Sequence, residues 1–88
     1  MEKFIMFFKD DSCEPCLETL PHVEALNQEN ETNKFFIINV NDAPKMVKDF
    51  GVEEIPTFVF IKNGEEFRRE MGYASRNRLE GFLRYLEH

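Results

Sequence analysis

The chain has 88 residues, a formal net charge of −6, ten phenylalanines, two cysteines and no tryptophan. That length supports one small domain over residues 1–88 with a core of modest size. The negative charge argues against nucleic acid or anionic membrane as a partner, and no apolar run approaches the ~20 residues of a membrane helix.

The N-terminal stretch MEKFIMFFKDD has a short apolar centre, no small-residue cleavage site, and runs directly into charge. It reads as a strand over residues 3–8, buried on both faces, and not as a signal peptide. The cytosol is then the expected compartment. A static disulfide is unusual there, so two close cysteines point to metal binding or redox cycling.

The next stretch, DDSCEPCLETLP, places Cys13 and Cys16 three positions apart and Pro21 five beyond the second. From Cys16 the apolar positions Leu20, Val23 and Leu26 mark one helix face, which the polar run NQENETNK (27–34) ends. FFIINV (35–40) predicts a second buried strand, so the chain opens with a βαβ unit. NDAPKMVKDFG predicts a short helix capped by Asn41 or Asp42, with Pro44 in its first turn and Gly51 at its end. TFVFIK (57–62) predicts a third strand. Asn63-Gly64 signals a tight hairpin into a fourth, EEFRREM. ASRNRLEGFLRYL predicts a last helix presenting Leu79, Phe82, Leu83 and Leu86 on one face. The ending Leu86-Glu87-His88 looks like the start of an expression-tag scar, although Leu86 also fits this helix. No repeat or linker interrupts the order βαβαββα, an α/β fold with a mixed sheet flanked by helices.

The cysteine pair falls where the first strand turns into the first helix. There Cys13 lies near unpaired backbone N–H groups carrying about half a positive charge, which favours the reactive thiolate. Cys16, one turn on, sits deeper and suits the resolving step of a two-step exchange. Two other roles for the pair are half of a zinc site and a structural place in the core. A zinc site wants four ligands, and the chain adds only His22 and His88 to the cysteines. Two structural core cysteines would leave the strand-to-helix placement unexplained.

These stretches together resemble the thioredoxin family, over essentially the whole chain. CEPC is similar to its C-x-P-C centre, and Pro21 to the proline that kinks its active-site helix. Ile55-Pro56-Thr57 looks like its I-P-T segment, Lys62-Asn63-Gly64-Glu65 its hairpin, and Gly72 its glycine beside the substrate groove. The resemblance implies a cis bond before Pro56. Pro56 is then expected to shape the substrate groove, Ile55 and Thr57 to supply backbone contacts, and Gly72 and Tyr73 to line it, while Glu14, as a charge near the thiolate, and Pro15 are expected to tune the redox pair. The resemblance also implies no cofactor beyond the Cys13–Cys16 disulfide. The chain begins at the first core strand and lacks the extra N-terminal strand and helix of full-length thioredoxins.

Three departures stand out. Ser12 replaces the tryptophan usual before the first cysteine and is a candidate helix cap. Phe7 aligns with the family's buried aspartate and Ile37 with its lysine companion, so both charges are gone together, which can be nearly neutral. Proton removal from Cys16 then falls to water or a rim carboxylate. Asp10, Asp11, Glu14 and Glu18 surround the motif, and Glu53-Glu54 precede Ile55, so two acidic segments are expected to converge beside Cys13.

The expected function is protein-disulfide reduction by a monomer that is recycled by a reductase or by glutathione. The alternatives are a glutathione-linked glutaredoxin-like enzyme, with Lys9 or Arg76 binding a glutathione carboxylate, and a non-catalytic thioredoxin-fold binding module.

Overall fold

A computed structural model describes residues 3–30 and 34–87. The elements run β1 (Lys3–Lys9), α1 (Glu14–Asn30), β2 (Phe35–Asn39), α2 (Pro44–Asp49), β3 (Thr57–Lys62), β4 (Glu65–Met71) and α3 (Arg76–Glu87). The four strands form one sheet in the order β2-β1-β3-β4. β1 pairs parallel with β2 and antiparallel with β3, and β4 pairs antiparallel with β3. This is the mixed sheet and element order expected from the sequence. Residues 31–33 of the polar run after α1, and His88, lie outside the described residues. No described helix is long and apolar enough to cross a membrane.

The apolar strands β1 and β3 occupy the sheet centre, and alternation of side chains divides their residues between two cores. On one face Ile5, Phe7, Phe58 and Phe60 pack with Val23 and Leu26 of α1 and with Leu79, Phe82 and Leu86 of α3. On the other, Met6, Phe8, Val59 and Ile61 pack with half-buried residues around α2, among them Val47 and Phe50. Phe58 is the hub of the first core. It stacks on Phe7 at 4.8 Å and meets Phe82 edge-on at 5.1 Å, both favoured aromatic geometries.

β2 departs from expectation. The apolar run predicts a buried strand, yet β2 is an edge strand, with Phe36 51% and Ile37 38% exposed. An apolar run predicts burial when both sides of the strand are covered. Here β2 has a single neighbour, and the six-residue α2 buries none of its own residues fully. The open edge is closed in part by Asn27 of α1, whose side-chain carbonyl accepts the Phe35 N–H at 3.1 Å while its amide donates to the Phe35 carbonyl at 2.9 Å. That clamp reproduces the pairing of a missing strand at one residue.

The caps of α2 also differ. Pro44 occupies the first turn and Gly51 follows the end with φ +60°, as expected. The N-cap is Ala43, without a side-chain bond. Asn41 instead donates its amide to the Asp10 carboxylate at 3.0 Å, tying this turn to the loop before the cysteines. The hairpin carries positive φ at both Asn63 and Gly64 (54° and 85°), the type I′ form that suits strand twist.

Candidate active site

β1 delivers the chain into a tight turn. The Cys13 N–H donates to the Asp10 carbonyl at 3.1 Å. The Asp10 carboxylate accepts the Ser12 N–H at 3.5 Å and the Ser12 hydroxyl at 3.2 Å. Ser12 is therefore held by the loop and does not cap α1, contrary to expectation. Cys13 takes the cap position itself. Its carbonyl accepts the Leu17 N–H at 3.0 Å, and its Sγ accepts the Cys16 N–H at 3.2 Å. Glu14 and Pro15 fill the first turn, where a missing N–H costs nothing; both are exposed.

Cys13 and Cys16 are joined as a disulfide with Cα atoms 5.2 Å apart. Cys13 is half-buried, whereas Cys16 is 1% exposed. The two sulfurs thus have the accessible and sheltered positions that the spacing predicts.

The opposing wall comes from the segment before β3. The Ile55–Pro56 bond is cis, and the Ile55 carbonyl oxygen lies 3.9 Å from Cys13 Sγ. The Pro56 carbonyl accepts the N–H of Gly72 at 2.9 Å, and Gly72 has φ +92°, a conformation that suits glycine. Three segments distant in sequence therefore meet: the start of α1, the cis-proline turn, and the residues after β4. Tyr73, 45% exposed, stands at the edge of the third.

The side chain of Thr57 is 1% exposed, and the residue is in register with Phe8 on one side and Met71 on the other. Its hydroxyl donates to the Glu54 carbonyl, so it braces the proline turn from inside. Pro56 is likewise buried and shapes the turn from beneath.

Three residues escaped the sequence reading. Leu17 (48% exposed) and Met71 (52%) are large apolar side chains on the surface next to Cys16 and Gly72. Leu17 could have been noticed because it falls off the apolar stripe of α1 immediately after a cysteine. Thr19 is completely buried. Its signal was a polar residue on that stripe, three positions after Cys16 and four before Val23.

The charges sort themselves by partner. Asp11, Glu14, Glu18, Glu53 and Glu54 are exposed, and Asp10 is half-buried. Ile55, whose carbonyl approaches Cys13, follows Glu53-Glu54 directly in sequence. Lys9 pairs with Asp11 at 2.7 Å. Arg76 bonds Glu29 and Glu80, which raise its pKa further above the usual guanidinium value, and the Arg76 hydrogen bond holds the Glu29 carboxyl below its usual range. Both cations considered for glutathione are thus engaged in ion pairs. Among the described residues no three His, Cys, Asp or Glu side chains cluster as a metal site.

Residues 1–85 match the family model described as Thioredoxin. The chain is 33% identical over 72 residues to a thioredoxin of Porphyra purpurea, a match covering 81% of this chain and 67% of that one. It is 32% identical over 76 residues to Thioredoxin H2 of Arabidopsis thaliana, covering 86% and 56%. Its matched part thus spans about half to two thirds of those relatives. The structure superposes on Fasciola hepatica thioredoxin with a TM-score of 0.86 at 30% identity, over 97% of this chain and 81% of that one. On oxidized mitochondrial Thioredoxin 3 of Saccharomyces cerevisiae the TM-score is 0.80 at 30% identity, over 96% and 78%.

The difference in accessibility between the sulfurs predicts a difference in reactivity. In the reduced protein iodoacetamide should modify Cys13 much faster than Cys16, as read by peptide mass spectrometry. Equal rates, or faster labelling of Cys16, would contradict the assignment of the two sulfurs.

Proposed function

The chain belongs to the thioredoxin family, oxidoreductases acting on protein disulfides, and we propose that it reduces such disulfides by exchange through Cys13 and Cys16. The observation that carries this reading is the pair itself: a half-exposed sulfur at a helix start, a buried sulfur beneath it, and the cis Ile55–Pro56 carbonyl facing the first.

The reaction begins with the dithiol. Cys13 thiolate, favoured by the N–H groups of the α1 start, attacks one sulfur of a substrate disulfide. A Cys13–substrate bond forms, the substrate S–S bond breaks, and the departing thiolate takes a proton. Cys16 then loses its proton and attacks Cys13 Sγ. The Cys13–Cys16 disulfide forms and the second substrate thiol leaves. Two electrons and two protons pass to the substrate, and the disulfide form of the structure is the product state. The family needs no cofactor beyond this disulfide.

Phe7 and Ile37 determine how Cys16 is deprotonated. They are register partners in β1 and β2. Phe7 is completely buried against Phe58, while Ile37 is partly exposed at the sheet edge. With a phenyl ring in place of a carboxylate, the proton leaves to water or to an exposed rim carboxylate. The surface that meets the partner is apolar at Leu17, Met71 and Tyr73, which replace the contact that tryptophan would give at Ser12. The protein acts as a cytosolic monomer and is recycled by a reductase; the ion pairing of Lys9 and Arg76 offers no support for glutathione as the donor.

Insulin reduction with dithiothreitol as the recycling reductant tests the proposal. The wild type should accelerate precipitation of the insulin B chain, and Cys13→Ser should abolish the acceleration. Wild-type protein no faster than dithiothreitol alone would leave the binding-module alternative standing.

The acidic rim sets a preference among partners. Fields of one sign attract basic surfaces and weaken with salt. Combining Glu14→Gln, Glu53→Gln and Glu54→Gln should slow reduction of a basic disulfide protein at low ionic strength and flatten its salt dependence. An unchanged salt dependence would reduce the rim to ordinary solvated charge.

A further inference from the structure

Thr19 lies one turn beyond Cys16 on the buried stripe of α1, and with Thr57 it makes up the buried polar side chains among the described residues. Its hydroxyl donates to the carbonyl of Pro15 at 2.8 Å and accepts the N–H of Ala74 at 3.2 Å. Pro15 stands between the cysteines. Ala74, itself completely buried, follows Gly72 and Tyr73. One oxygen therefore joins the turn that carries the sulfurs to the wall that carries Tyr73, across 55 positions of sequence.

The other ties on that wall do not reach the cysteine helix. Gly72 N–H bonds the Pro56 carbonyl. The Arg78 guanidinium, from α3, bonds the carbonyls of Tyr73 and Met71 at 2.5 and 3.3 Å. Among the hydrogen bonds of the described residues, Thr19 to Ala74 is the one that links α1 with residues 71–75. Valine has nearly the same shape and would suit an apolar stripe better, because a buried hydroxyl is costly unless it is bonded. What threonine adds at this position is the partner for the Ala74 N–H.

We propose that Thr19 is a positioning residue for disulfide exchange, holding the Met71–Tyr73 wall at the distance from Cys13 that an incoming protein segment requires. It touches neither sulfur nor substrate. The inference rests on the disulfide-reductase reading above. A protein substrate meets both walls, whereas a small aromatic disulfide needs contact with Cys13 alone. Loss of the hydroxyl leaves the Ala74 N–H without its partner and releases the wall, so protein binding weakens while the chemistry at sulfur is untouched.

Steady-state reduction of insulin and of dithiobisnitrobenzoate by wild type, Thr19→Val and Thr19→Ser tests this. Thr19→Val should raise KM for insulin about three- to tenfold, the ratio that one net hydrogen bond represents. Its kcat and its rate with the small disulfide should be unchanged, and Thr19→Ser should restore the wild-type KM. In the wild type the Ala74 amide should exchange with deuterium as slowly as the amides of β3, a measurement that decides the matter if Thr19→Val does not fold. An unchanged KM in Thr19→Val, equal losses on both substrates, no rescue by serine, or fast exchange at Ala74 each overturns the proposal. A wild type that reduces no insulin overturns the underlying reading instead, and is recognised by Cys13→Ser behaving identically.

Discussion

A helix that starts directly after a strand has to satisfy its first backbone N–H groups, and in α1 the sulfur of Cys13 does so by accepting the Cys16 N–H. That bond places the sulfur in the positive end of the helix and fixes the direction in which it points. It also sets Cys16 one turn deeper, where the side chain is 1% exposed. A serine or aspartate cap would supply a better acceptor for helix stability; a cysteine cap makes the same bond with an atom that can exchange partners. The remaining structure serves to keep that atom accessible on one side. The Asp10 carboxylate pins the preceding loop to Asn41, and the cis-proline turn faces the sulfur with its carbonyl.

Support for this arrangement is apolar where a charged pair might have been used. Phe7 and Ile37 sit opposite each other in the sheet, and Phe7 feeds its ring into the Phe58 cluster. Burying a lone carboxylate is expensive, and replacing both members of an ion pair by apolar groups is often neutral or stabilising. The chain thereby gains core packing below the redox centre and gives up an internal proton acceptor.

Much of this was legible in the sequence because it is written in local patterns. Apolar runs of strand length, the Asn63-Gly64 turn, Pro44 at a helix start and the cysteine spacing each act over a few residues, and each predicted its element. The resemblance of Ile55-Pro56-Thr57 to a cis-proline segment added the facing wall. What escaped depends on neighbours far along the chain. FFIINV reads the same whether one or two strands flank it, so the exposure of Phe36 and Ile37 was hidden. Asn41 and Ser12 look like caps in sequence, but the Asp10 carboxylate recruits both. The burial of the Thr57 side chain depends on the pairing of β3 on both sides, which the segment Ile55-Pro56-Thr57 alone does not show. Asn27 and Thr19 carry their roles through partners 8 and 55 residues away.

In the proposed exchange Cys13 alone attacks the substrate and Cys16 alone resolves the intermediate. Incubating reduced Cys16→Ala protein with insulin, and resolving the products by non-reducing electrophoresis and mass spectrometry, tests it most directly. A stable mixed disulfide between Cys13 and an insulin chain is expected, absent with Cys13→Ser. Adduct formation through Cys16 in the Cys13→Ser protein, or no adduct with Cys16→Ala, would contradict it.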